Sequence, residues 1–166
     1  MKIRFSSALL VLLAAGCASS VPVPDSLRPA ANESLKLVMH AKGVQIYECR
    51  DAKWVFVAPQ ASLFDERGNR VARHFAGPRW EALSDGSRIV GTVKSRADAP
   101  AAGAIPWLLL SAKSEGGEGE FNDVTSVQRI ATSGGLAPEG ACTAAMVEAR
   151  VPYTADYYFY SARPSY

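Results

Sequence analysis

The chain has 166 residues, 48% of them hydrophobic and 20% charged, enough for one domain with a substantial core and a tail. The formal charge of +2 includes Lys2 and Arg4, which stand in a segment expected to be removed; without them 16 basic residues face 16 acidic ones. A neutral mature chain lacks the surplus positive charge of a general nucleic-acid binder, so no nucleic-acid partner is expected.

Residues 1–16 read as a secretion signal, with a basic start at Lys2 and Arg4 and the apolar run Ala8 to Ala15. The run falls short of the roughly 20 apolar residues that span a bilayer. It ends in Leu13-Ala-Ala-Gly-Cys17, which resembles the bacterial lipoprotein lipobox. That resemblance implies acylation of Cys17 as the first mature residue. Ala18 and Ser19 follow, with no aspartate to hold the protein at the inner membrane, so the expected location is the cell envelope, as an outer-membrane lipoprotein. The expected membrane partner is reached through the N-terminal lipid anchor, each buried CH₂ contributing about 0.8 kcal/mol. Residues 17–34 are small, polar and proline-containing, and read as a flexible tether.

Residues 35–162 read as the domain. Leu35, Leu37 and Met39 alternate as a short strand, Ala41-Lys42-Gly43 reads as a turn, and Gly43-Val-Gln-Ile-Tyr-Glu-Cys49 as a central strand. Asp51-Ala-Lys53 is a turn, and Trp54 to Val57 a strand ended by Pro59. Ala61 to Phe64 and Val71 to Phe75 flank the turn Asp65-Glu-Arg-Gly-Asn69 as a hairpin. Gly77-Pro78 breaks the pattern, Trp80 to Leu83 resumes it, and Asp85-Gly-Ser87 leads into the strand Arg88 to Lys94. Ile105 to Leu110 is almost continuously apolar, as for a strand buried on both faces. After the acidic, glycine-rich stretch Ser114 to Asp123, Val124 to Thr132 alternates again. Cys142 to Val151 fits a helix or a strand, and Tyr153 to Ser161 closes the domain. About ten short strands predict an all-β single domain, an antiparallel sandwich or barrel.

With Cys17 set apart, Cys49 and Cys142 remain in an oxidising compartment, and the simplest reading is one disulfide. The competing redox or metal pair has no Cys-x-x-Cys behind it, and His40 and His74 are too few for a structural zinc set. No metal and no cofactor are expected.

Six ordered segments resemble the domain-of-unknown-function 3455 family of secreted bacterial and fungal proteins. They are the Gly43–Cys49 strand, His74-Phe-Ala-Gly-Pro-Arg-Trp80, Asp85-Gly-Ser87, Ile105-Pro-Trp-Leu-Leu-Leu110, Val124-Thr-Ser-Val-Gln-Arg-Ile130 and Val151-Pro-Tyr-Thr-Ala-Asp-Tyr-Tyr-Phe-Tyr160. The resemblance implies a single secreted domain and brings no catalytic residue with it.

His74 and Trp80 are the leading candidates for a site. Gly77-Pro78 bends the chain between them, and a histidine beside an aromatic platform suits a flat polar ligand or a general base. Arg79, Trp107 and Asp156 complete the binding candidates; Trp107 and Asp156 also read simply as core and as a hydrogen-bonded strand residue. Ala131-Thr-Ser133-Gly-Gly135 is one residue off a nucleophile elbow, but no histidine follows Ser133. Glu115, Glu118, Glu120 and Asp123 read as a solvated loop, without the EF-hand pattern. From Arg67 to Arg96 seven basic residues meet two acidic ones, an arrangement that suits anionic glycan or lipid head groups. Without a complete catalytic set, the reading is a non-enzymatic ligand- or envelope-polymer-binding module. The alternatives are an enzyme using His74 with a carboxylate and a purely structural envelope component.

Overall fold

The computed structural model describes residues 22–143 and 147–164; Cys17 and the signal segment lie outside them. Eight antiparallel strands follow one another around a single sheet: β1 (Glu33–Arg50), β2 (Lys53–Phe64), β3 (Arg70–Phe75), β4 (Arg79–Ala82), β5 (Arg88–Ala97), β6 (Trp107–Gly116), β7 (Val124–Gly134) and β8 (Glu148–Ala162). β8 returns to pair with β1 from Glu33↔Ala162 to Glu48↔Glu148, so the sheet closes into a ring. The fold is all-β, and no α-helix forms among the described residues.

Eight strands stand where about ten were expected, because two pairs of short runs are continuous. The expected turn at Ala41-Lys42-Gly43 is the middle of β1, paired on both sides, with β2 and with β8. Gly43 is there for close approach: a Cβ at this position would lie 2.5 Å from the Cα of Ala61. Likewise Pro59 does not end a strand but sits inside β2, opposite Gln45. β2 pairs with β3 only over Ala61–Phe64, so its first half is a sheet edge, where proline removes no ladder hydrogen bond. Cys142–Val151, compatible with helix or strand in the sequence, enters β8 at Glu148.

Local turn chemistry sets the hairpins. Asp51 and Ala52 take positive φ in the two-residue β1–β2 turn. The Asp65 carboxylate accepts the backbone N–H groups of Arg67 and Asn69 at 2.9 and 2.8 Å.

Alternation decides what fills the ring. Met39, Leu63, Trp80, Ile89, Leu110, Phe121, Val127, Tyr157 and Phe159 point inward as one core. Ile105 to Leu110 is covered on both faces. Leu110 joins the inner core, while Trp107 and Leu109 pack outside it under Leu27. The small, polar, proline-containing composition of residues 17–34 predicts a tether. Within the described part, however, Asp25–Leu27 forms a 3-10 turn, Leu27 is fully buried, and its carbonyl accepts a hydrogen bond from Gln128 Nε2 at 2.6 Å. The apolar outer face of β6 gives that turn its purchase.

Cys49, at the end of β1, and Cys142 form a disulfide with Cα atoms 5.8 Å apart. It closes a sequence separation of 93 residues.

Candidate functional site

The ring is paired unevenly. β3 meets β4 over four residue pairs, from Ala72↔Ala82 to Phe75↔Arg79, and β4 meets β5 over three, from Arg79↔Val90 to Glu81↔Arg88. This short hairpin bridges only one half of the gap between β2 and β5. On the other half, no strand among the described residues pairs with the free edges of Lys53–Gln60 and Thr92–Ala97. There the interior opens as a cavity of about 700 Å³. That lies within the roughly 300–1,000 Å³ of ordinary small-molecule sites.

His74 and Trp80 form one wall. They are direct cross-strand partners on β3 and β4, and their rings stack at 4.4 Å with an interplanar angle of 9°. Gly77 and Pro78, from the bend between them, also line the cavity. Tyr157 meets both rings edge-on, at 5.3 Å from His74 and 5.7 Å from Trp80. Behind Trp80 the half of the ring that the hairpin does close is filled by Phe159 and Phe121. Gly91 makes room for the indole: a Cβ there would come within 2.8 Å of Trp80 Cζ3. Leu108, Leu110 and Ile105 supply the apolar floor; Phe56, Val57, Val93 and Leu136, all exposed, form the rim.

The polar groups of the cavity are few. His74 donates Nδ1–H to the Arg79 carbonyl at 2.8 Å, which leaves Nε2 as an acceptor. Burial lowers the pKa of this imidazole to about 3, against the opposing effect of the Arg79 carbonyl, so the ring is neutral at physiological pH. Gln45 Nε2 and Trp80 Nε1 are buried with no hydrogen-bond partner among the described residues. Tyr47 donates to the Gly135 carbonyl at 2.6 Å, and burial raises its pKa. Arg129 enters the wall from β7, held by two hydrogen bonds from Nε and Nη2 to the Pro106 carbonyl, at 3.2 and 2.8 Å. No aspartate or glutamate among the described residues lines the cavity.

The other candidates lie elsewhere. Arg79 turns outward and forms a two-pronged ion pair with Glu115, at 2.7 and 2.9 Å. Asp156 is on the outward phase of β8, 2.6 Å from Nδ1 of the exposed His40. Trp107 belongs to the small cluster under Leu27. Of the basic run, Arg73 is likewise paired with Glu81. Arg70 and Arg73 border a second hollow on the protein's surface with Lys42 and Arg150, the last paired with Glu148. No group of three or more histidine, cysteine, aspartate or glutamate side chains among the described residues could hold a metal ion.

Gln45, Tyr47 and Arg129 were not singled out by sequence. For Arg129 a signal was there: it alternates in phase with Val127, a charged residue on an apolar face.

No curated protein and no solved structure matches the chain. Residues 29–161, the whole ring except Ala162 and every residue that lines the cavity, match the family described as Protein of unknown function (DUF3455), and the chain belongs to that family.

Proposed function

We propose that the protein is a non-enzymatic binding module whose ring cavity takes a largely apolar small molecule. The observation that carries this reading is the cavity itself. It has an apolar floor and an exposed apolar rim, and two buried donors, Gln45 Nε2 and Trp80 Nε1, lack partners among the described residues. A buried donor without a partner costs roughly 1–3 kcal/mol, a cost that a bound acceptor offsets. The His74 environment favours binding over catalysis. A general base works best with a pKa near the operating pH, whereas burial takes this ring to about 3, and its partner is a backbone carbonyl rather than a carboxylate. Acylation of Cys17 would tether the cavity at the outer membrane, beside a reservoir of apolar molecules.

The test is native mass spectrometry of the gently purified protein, with titration of the neutral dye N-phenyl-1-naphthylamine. A reproducible extra mass, or saturable dye fluorescence that Leu108→Trp weakens by narrowing the cavity, is the expected result. A clean apo mass together with no saturable dye binding would overturn the reading.

A further inference from the structure

Five arginines of the described residues, Arg28, Arg50, Arg73, Arg79 and Arg150, are each paired with an aspartate or glutamate. Arg129 is not among them. It is half-buried, faces inward opposite Leu108 and Tyr157, and has no carboxylate partner among the described residues. Its guanidinium carries five N–H donors, and the Pro106 carbonyl takes two. The charge is felt across the interior: it adds to the larger effect of burial on His74, and partly offsets the burial that raises the pKa of Tyr47 and of Tyr153, on three other strands.

The rest of the wall points the same way. The unpartnered groups, Gln45 Nε2 and Trp80 Nε1, are donors and call for acceptors. A second guanidinium, that of Arg96, stands at the exposed side of the cavity, likewise without a carboxylate partner among the described residues. A cation on an apolar wall, with no acidic residue among the described residues to offset it there, is complementary to an anion that carries its own apolar body. Arginine suits the planar oxygens of a carboxylate in particular.

Resting on the binding reading above, we propose that the ligand is an amphipathic oxyanion, with its carboxylate or comparable acid group on Arg129 and its apolar part against Trp80, Leu108 and Leu110. The exposed rim at Phe56, Val57, Val93 and Leu136 lets a longer chain leave the cavity along apolar surface.

The experiment compares acids with their neutral counterparts: decanoate against decanol, and 2-naphthoate against 2-naphthol. Each is titrated into the purified protein at pH 7.5 and followed by displacement of N-phenyl-1-naphthylamine. At least one acid is expected to bind about tenfold or more tightly than its alcohol, with the preference shrinking as salt rises. Arg129→Gln is expected to erase the preference while leaving the alcohol's affinity in place, with thermal melting as the check on folding. Should the variant fail to fold, the wild-type acid–alcohol ratio and its salt dependence decide alone. Equal affinity for acid and alcohol in both pairs would overturn the oxyanion and leave the binding reading standing. Failure of the dye and of all four compounds to bind would overturn both.

Discussion

Protonating His74 should destabilise the fold, and the size of the effect follows from its burial. In the unfolded chain a histidine titrates near 6.5, whereas burial brings the folded-state value to about 3. Between those values the unfolded chain holds a proton that the folded chain does not. The stability attached to the neutral ring is therefore fully present above pH 6.5 and is lost as the pH falls toward 3. The slope approaches about 1.4 kcal/mol per pH unit, so by pH 4.5 the loss attributable to this residue is about 2.7 kcal/mol. Carboxylates titrate over the same range, so the comparison is with His74→Phe, which keeps an aromatic ring against Trp80 but does not titrate. That variant also leaves the Arg79 carbonyl without its donor, a cost of roughly 1–3 kcal/mol that does not change with pH. Urea unfolding of both proteins at pH 7.5, 6.5, 5.5 and 4.5 should give stabilities whose difference narrows, or reverses, toward acid. Parallel curves across the whole range would mean that the ring charges inside the folded protein without penalty, and the description of His74 as a buried neutral acceptor would be wrong.

Three further outcomes are expected. Reduction of Cys49–Cys142 releases a loop of 93 residues, and chain entropy puts the cost at about 4–5 kcal/mol, read as the fall in urea-unfolding free energy with and without reductant. Gly91→Ala places a methyl group within 2.8 Å of Trp80 Cζ3, and should cost about 1–3 kcal/mol and shift the tryptophan emission; an unchanged spectrum and stability would mean that the indole is not held as described. Leu27→Ala removes the side chain that covers Trp107 and Leu109, and should cost about 2–5 kcal/mol by thermal unfolding, whereas a mobile tether would lose nothing.

What was legible in the sequence was mostly local. The turns at Asp51-Ala-Lys53, Asp65–Asn69 and Asp85-Gly-Ser87 carry their own chemistry in aspartate and glycine, and they stand where they were read. Strand continuity was not local. Ala41-Lys42-Gly43 carries a turn-like glycine, but pairing to β2 and β8 on both sides overrides it, and only the closed ring supplies both neighbours. Pro59 misled for the converse reason: a proline argues against a central strand, and the sequence does not say that this half of β2 is an edge. The pairing of His74 with Trp80 was readable because the two lie six positions apart around one glycine-proline bend. Gln45 was not, and Arg129 showed only as a charge on an apolar alternating face, because their inward orientation matters only once it is known that this face is enclosed and that a neighbouring hairpin stops short. Leu27 escaped for a similar reason: a single leucine in a polar, proline-rich stretch has no periodicity, and its burial depends on the apolar outer face of β6.

The mismatch in strand length links the fold to the site. Eight-stranded rings are ordinarily just wide enough for side chains to fill or for one small ligand to occupy. Here β3 and β4 span six and four residues, against twelve in β2 and ten in β5, so the wall is complete on one half only. The complete half is packed with Trp80, Phe159 and Phe121, an aromatic cluster that backs the stacked His74 ring. The same indole, itself buried, borders the cavity on the incomplete half. At that end the chain after β7 contributes Leu136 and Ala137 to the rim and then reaches Cys142, whose bond to Cys49 fixes it to the end of β1. The disulfide therefore braces the segment that borders the opening. A site enclosed by a packed floor, two unpaired strand edges and a cross-linked rim has its geometry set before a ligand arrives, which reduces the ordering cost of binding.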